Sequence, residues 1–171
     1  MNDVSRPAIV ILMLVAAVVQ TSVVWHFPLF GIVWLPMLQI VTFLALWYGP
    51  AGGAGWGFVG GLLLDVFSDA HWGLSALALT IAGFVGGFAI SVVQPNRAVL
   101  AAVTAIWVIA VYFVLLGALL ITFDYRFSFR DMLLEMALPT AILNALFAPL
   151  VVFVGFRFLE VASGNPSNRR R

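Results

Sequence analysis

The residues best suited to chemistry lie between positions 65 and 75, where two acids, two serines and a histidine occur together: Asp65, Ser68, Asp69, His71 and Ser75. Asp65 and Asp69 are four residues apart and would share one face of a helix, with His71 just beyond. Two carboxylates and an imidazole could contribute to a cation site. Such sites need a fuller ligand set, however, and the HExxH, ExxH and CxxC spacings are absent. The sequence therefore predicts no metal site and no cofactor.

The same residues could also serve as a nucleophile with its base, or as a proton relay. Ser68 and Ser75 lie close to His71 in sequence, but there is no GxSxG motif and no phosphate-binding loop. Asp65 precedes the polar turn by about four residues, which places it only about 6 Å deep, too shallow for a relay at the membrane midplane. We therefore predict a non-enzyme without catalytic residues, in which Asp65 caps or anchors a helix end.

Two further polar residues occur in apolar surroundings. Gln20 begins the polar triplet that ends the first apolar run, and Asn144 lies between Leu143 and Ala145 in the last one. Amide side chains in such segments normally bond across helices. We interpret both as structural hydrogen-bonding or partner-contact residues rather than ligand contacts.

Glycines at four-residue spacing precede Asp65. They leave one helix face without side chains, so that another helix can approach closely. A second small-residue face follows later in the chain, and we expect the two faces to pack together. The predicted helix-packing residues are Gly49, Gly53, Gly57 and Gly61 in the first face and Gly83 and Gly87, with Gly86, in the second.

These residues belong to a chain whose composition is that of a membrane protein. Hydrophobic residues make up 64% of the 171 residues and charged residues only 9%. Apolar runs of nearly 20 residues predict an all-α domain over residues 1–160, followed by a disordered basic tail over 161–171. We expect six transmembrane helices, at about 8–24, 30–48, 52–67, 72–93, 98–122 and 133–159.

The arginines predict the topology. With the N-terminus in the cytoplasm, six arginines lie inside and only Arg126 and Arg130 outside, as the positive-inside rule favours. Both termini are then cytoplasmic. The net charge of +1 and the lack of a basic face argue against nucleic-acid binding. Aromatic residues near the span ends are expected at the headgroup level, at Trp25, Trp34, Trp47, Tyr48, Trp56 and Trp72. Trp107 falls inside a span and is expected to pack against a helix.

The order of these features resembles the MreD family of rod-shape-determining membrane proteins. The resemblance rests on Gln20-Thr21-Ser22, on Pro36, on the run GFVGGLLLD from Gly57 to Asp65, and on GLSAL from Gly73 to Leu77. It implies a bacterial inner-membrane scaffold of the lateral-wall elongation machinery. The implied partners are MreC directly, and MreB, RodA and the elongation transpeptidase as members of the complex.

The resemblance also supplies an alternative. The family is thought to share its six-helix fold with the substrate-binding S components of energy-coupling-factor vitamin transporters. An S component usually docks through an alanine-x-x-x-alanine face in its first helix, whereas positions 8, 12, 16 and 20 here read Ala, Leu, Ala and Gln. The scaffold is therefore the main prediction and the transporter component the alternative.

Overall fold

The computed structural model describes residues 6–24, 34–68, 72–92, 97–122 and 128–162. Within these ranges the regular secondary structure is helical throughout, which confirms the all-α prediction. The elements are α1 (Arg6–Val19), continued by a π-helix (Gln20–Val24), α2 (Pro36–Phe67), α3 (Leu74–Val92), α4 (Arg97–Thr122), α5 (Phe129–Asp131), a second π-helix (Met132–Ala137) and α6 (Leu138–Ala162).

The longest element, α2, is a hairpin of two helical arms rather than one straight helix. Gly49 interrupts it with φ 74° and ψ −171°, a conformation almost restricted to glycine. Gly60 lies against the side chains of Met37 and Val41. In a straight helix residues 41 and 60 would be about 28 Å apart. The chain therefore turns back at Gly49, and the two arms, residues 36–48 and 50–67, pack against each other.

The first arm of α2 is the centre of the bundle. Every residue from Pro36 to Leu46 is buried except Ile40, which is partly buried. The second arm, α3 and α6 surround it, and α1 also packs against α2. A helix that is apolar on all sides is expected in such a central position. Its two buried polar side chains, Gln39 and Thr42, are therefore enclosed by protein.

The last helical region starts with a cap and two irregular turns. The backbone N–H of Asp131 donates to Ser128 Oγ at 3.4 Å, which is an N-terminal capping arrangement. A π-helix over Met132–Ala137 follows and ends just before Pro139. Because proline has no N–H, it cannot bond the carbonyl of Glu135, so the helix is disrupted at this place.

The number of membrane crossings and the bounds of each crossing remain predictions. Two helical stretches are long and apolar enough to cross a bilayer by length and composition, Ala102–Leu119 and Met132–Gly155. Shorter apolar helices cover Arg6–Ser22 and Leu74–Phe88. The predicted second and third segments correspond to the two arms of α2, and the first arm begins at Pro36 rather than at residue 30.

Candidate functional site

The start of α3 is held by a side chain from the end of α2. Asp65 Oδ2 accepts hydrogen bonds from the backbone N–H groups of Gly73 (2.9 Å) and Ala76 (3.1 Å). Its Oδ1 accepts one from Ser75 N–H at 2.9 Å. A helix start leaves its first N–H groups without partners inside the helix. The carboxylate of Asp65 supplies three of these bonds from outside the helix.

The surroundings of Asp65 favour this arrangement electrostatically. The side chain is only 1% exposed, so its charge is shielded from water by protein. The N-terminal end of a helix carries a partial positive charge, which stabilises a nearby anion by about 0.3–1 kcal/mol at exposed sites and up to about 2 kcal/mol where partly buried. The hydrogen bonds and the helix dipole together offset the loss of hydration.

Ser75 extends the same site to a third helix. Its side chain shares a hydrogen bond with the hydroxyl of Tyr112 in α4. Both residues are buried. The second arm of α2, the start of α3 and the middle of α4 are thus joined at one polar cluster, formed by Asp65, Ser75 and Tyr112.

The start of α2 is held in a similar way, by side chains from both ends of the chain. Pro36 opens the helix and has no N–H to satisfy. The N–H of Leu35, which precedes it, donates to Asn144 Oδ1 of α6 at 3.2 Å, and the N–H of Met37 donates to Gln20 Oε1 at 3.1 Å. Asn144 is fully buried, and its Nδ2 donates to the Thr140 carbonyl at 2.8 Å.

Gln39 completes this second cluster and was not recognised in the sequence. Its Nε2 donates to the carbonyl of Asn144 at 3.2 Å, and its Oε1 accepts from Trp34 Nε1 at 3.2 Å. The residue is 4% exposed. The sequence does indicate this residue, because an amide within the apolar run from Pro36 to Tyr48 meets the same criterion that identified Asn144.

The glycines of the second arm of α2 face α3 in a regular antiparallel register. A Cβ added to Gly53, Gly57 or Gly61 would come closer than 3.0 Å to the backbone of α3, at Gly83, Leu79 and Ala76 respectively. The reciprocal addition at Gly83 would meet the carbonyl of Gly53. Only hydrogen fits in these positions, so the two backbones are in direct contact.

Gly49 and Gly87 meet in a different way at the hairpin turn. A Cβ on Gly87 would be too close to the backbone of Pro50 and would lie 2.6 Å from the carbonyl carbon of Gly49. A Cβ on Gly49 itself would have no atom within 4 Å. Gly49 thus has the spacing of the other three glycines but occupies a turn conformation rather than a close contact.

The side chains of Gln20, Asp65 and Asn144 all form structural hydrogen bonds. Both oxygens of Asp65 are occupied by backbone N–H groups, which leaves the carboxylate poorly placed to act as a base. No group of three or more His, Asp or Glu residues that could hold a metal occurs in the described ranges. Asp69 and His71 lie outside those ranges. The buried hydroxyls of Ser68 and Thr104 have no hydrogen-bond partner there.

Comparison with known protein families identifies a match. A family model described as rod shape-determining protein MreD matches residues 4–162 of the chain. No curated protein and no solved structure matches the chain. The family match lends no support to the transporter alternative.

Proposed function

The chain belongs to the MreD family of shape-determining membrane proteins, and from that premise we propose that it is a non-enzymatic scaffold of the lateral-wall elongation machinery that binds MreC. Membership of the family implies a role in determining rod shape. The observation that supports a scaffold best is that Asp65 uses both of its carboxylate oxygens to hold the start of α3. MreB, RodA and the elongation transpeptidase are the further members of the complex.

The location follows from the same reasoning. The protein is a multi-pass protein of the bacterial inner membrane, with both termini in the cytoplasm. This placement is supported by the apolar helices and by the arginines, which favour the cytoplasmic side. Lipid acyl chains then surround the bundle.

Large apolar side chains on the outer helices support binding to a membrane segment. On α6 they recur every four residues, at Leu138, Ile142, Leu146 and Leu150, which are 55–74% exposed. On α1 they include Ile11, Leu12 and Val15, which are 52–62% exposed. Such faces can be covered by lipid or by the transmembrane helix of MreC, with van der Waals packing driving the association.

Co-purification with MreC tests the proposal directly. The tagged full-length protein is extracted in mild detergent from cells that make the elongation proteins, and MreC is detected in the eluate. We expect MreC to be recovered at a near-constant ratio to the tagged protein. Recovery of RodA or the transpeptidase without MreC would contradict direct binding. Ile142→Trp and Ile11→Trp then test the faces of α6 and α1 separately, because bulk at an interface should reduce recovery.

Cell shape tests whether the protein acts as a scaffold or through chemistry at Asp65. If the protein is a scaffold, Asp65→Asn should impair rod shape only to the extent that it lowers the amount of folded protein in the membrane. Gly57→Ala, which disturbs packing but no polar group, should show the same relation between protein level and shape. Round cells with Asp65→Asn at normal levels of folded protein would indicate a chemical role instead.

A further inference from the structure

The first arm of α2 is shorter than the second, although both arms meet at the same turn. Residues 36–48 extend about 20 Å from the turn, whereas residues 50–67 extend about 27 Å, close to the thickness of an ordinary hydrocarbon core. Gly60 lies beside the side chain of Met37 at the start of the first arm. From that level the second arm continues to Phe67, about 10 Å further from the turn. The start of α2 is therefore recessed within its own hairpin.

The last helical region shows the same recess. Asn144 Oδ1 accepts a hydrogen bond from the N–H of Leu35, and the ring of Phe147 lies 6.4 Å from that of Trp34. This part of α6 is thus level with the start of α2. On the side away from the α2 turn, the helical residues continue from Asn144 back to the exposed Glu135, about 13 Å away. Both α6 and the second arm extend at least about 10 Å past the start of α2.

The first helix gives the distance to the opposite edge of the bundle. Gln20 Oε1 accepts a hydrogen bond from the N–H of Met37 and is level with the start of α2. Arg6, which is exposed at the beginning of α1, lies about 21 Å from Gln20 along the helix. The first arm of α2 gives almost the same distance, about 20 Å from the start to the turn. A core of about 30 Å leaves about 10 Å on the other side.

The residues that extend past this level have the surface of lipid-facing helices. Leu138 and Ile142, between Glu135 and Asn144, are 55% and 64% exposed. Trp107, in the interior of α4, is 59% exposed, so the expectation that it packs against a helix was wrong and it too faces outward. Large apolar side chains favour the hydrocarbon over water. The outer part of α6 therefore belongs inside the bilayer.

A helix start at that depth needs its N–H groups satisfied by protein, because hydrocarbon offers no water. The N–H of Leu35 donates to Asn144 and the N–H of Met37 donates to Gln20, while Pro36 between them has no N–H. Leu35 and Pro36 are themselves buried. Both acceptors are uncharged amides, which cost less to bury than a carboxylate. The start of α2 is thus built for surroundings without water.

We propose that the first arm of α2 crosses only part of the membrane, and that its start lies about 10 Å inside the hydrocarbon. Gln20 anchors that start to α1 and Asn144 anchors it to α6. The non-helical residues Trp34 and Leu35 then lie at membrane depth, which is tolerated where protein encloses the backbone. The inference depends on the membrane-spanning arrangement proposed above. The alternative is that the start of α2 lies at headgroup level, with the outer part of α6 in water.

Spin labels on single cysteines measure these depths, because the natural chain has no cysteine. Trp34→Cys reports the start of α2 directly. Leu146→Cys, at a residue that is 74% exposed and two positions from Asn144, reports the same level and leaves the bonds of that start intact. Glu135→Cys is the matched reference on the same helical region, and Leu138→Cys tests the stretch between. The full-length variants are reconstituted in phosphatidylcholine vesicles, with oxygen as the apolar relaxing agent and a nickel chelate as the polar one.

We expect the ratio of oxygen to nickel accessibility at Trp34→Cys and Leu146→Cys to be at least fivefold higher than at Glu135→Cys. The ratio at Leu138→Cys should be intermediate. Ratios at Leu146→Cys and Leu138→Cys within twofold of Glu135→Cys would place the outer part of α6 in water and overturn the proposal. A low ratio at Trp34→Cys alone would place water beside the start of α2 and would overturn it as well.

A further variant separates this inference from the arrangement on which it depends. Val154→Cys is 55% exposed near the other end of α6. Low ratios at Val154→Cys and Leu146→Cys together would show that α6 does not cross the bilayer, and would overturn the inference with the arrangement. A high ratio at Val154→Cys with a low one at Leu146→Cys would overturn the depth of α2 alone. Binding of MreC is measured on the unmodified protein, so its failure is distinguishable from both.

Discussion

Gly53 and Gly83 each occupy the place where the other would carry a side chain. A Cβ on either glycine would meet the carbonyl oxygen of its counterpart, so the α-hydrogens point at those oxygens across the contact between α2 and α3. Contacts of Cα–H with carbonyl oxygens recur at close helix interfaces and contribute about 0.5–1 kcal/mol each. Each glycine therefore prevents the other position from carrying a side chain, and each donates a weak hydrogen bond to the other.

The reciprocity predicts that substitutions at the pair are not additive. Gly53→Ala and Gly83→Ala should each lower the free energy of unfolding by about 1 to 3 kcal/mol, because both force the backbones apart. The double variant should cost less than the sum, by at least about 0.5 kcal/mol, since the second methyl uses a gap already opened. Unfolding in mixed detergent micelles measures this. The control cycle of Gly55→Ala with Gly83→Ala should be additive, because Gly55 faces open space.

Gly49 should be intolerant of substitution for a reason unrelated to packing. A methyl group there meets no atom within 4 Å, yet its φ of 74° and ψ of −171° are strained for any L-residue. Gly49→Ala should lower the free energy of unfolding by about 1 to 3 kcal/mol through the backbone alone. Gly55→Ala should be neutral or stabilising, since alanine favours helix by about 1 kcal/mol. Equal stability of the two variants would show that the turn relaxes without cost.

Asp65→Asn should be damaging although the two side chains have nearly the same shape. The amide retains one acceptor oxygen but places an NH₂ group against backbone N–H donors of α3. We expect a loss of about 1 to 3 kcal/mol, the usual cost of leaving buried donors unsatisfied. Hydrogen exchange of the Gly73, Ser75 and Ala76 amides should accelerate at the same time. The matched control is Asp131→Asn, an exposed acid that should change stability by no more than about 0.5 kcal/mol.

Asn144→Leu should destabilise the bundle more than Gln20→Leu. Asn144 is fully buried and its side chain bonds both the Leu35 N–H and the Thr140 carbonyl, whereas Gln20 is partly exposed and its side chain accepts a bond from the Met37 N–H. We expect about 1 to 3 kcal/mol for Asn144→Leu and about 1 kcal/mol for Gln20→Leu. Unfolding in mixed micelles, with exchange of the Leu35 and Met37 amides, separates the two effects. A larger loss for Gln20→Leu would contradict this order.

The sequence predicts what is local and periodic in this fold. The four-residue spacing of Gly53, Gly57 and Gly61 identifies a smooth helix face, and the Gly49–Pro50 step identifies a break. The spacing does not reveal that Gly49 belongs to a turn, because backbone dihedrals depend on how the chain continues. Apolar runs likewise give helix positions to within a few residues, except that Pro36 fixes a later start than hydropathy suggests.

Contacts between residues that are far apart in sequence are harder to predict. The polarity of Asp65 and Asn144 indicates that each needs a partner, but the partners are backbone N–H groups, which every residue except proline carries. The sequence therefore does not show that the partner of Asp65 is the start of α3 rather than another helix start. Gln39 has the same sequence signal as Asn144, an amide within an apolar run, but its bond to the Asn144 carbonyl joins residues that are 105 positions apart.

The two capped helix starts differ in the order in which the ribosome synthesises the capping residue and the amides that it binds. Asp65 is synthesised eight to eleven residues before the amides it binds, so the pair of α2 and α3 can close as soon as both have left the exit tunnel. Leu35 must wait for Asn144, 109 residues later. The central arm is thus among the first parts of the chain to be made and among the last to be completed. Chains that stop before α6 should remain open at the start of α2 and be recognised by membrane quality control.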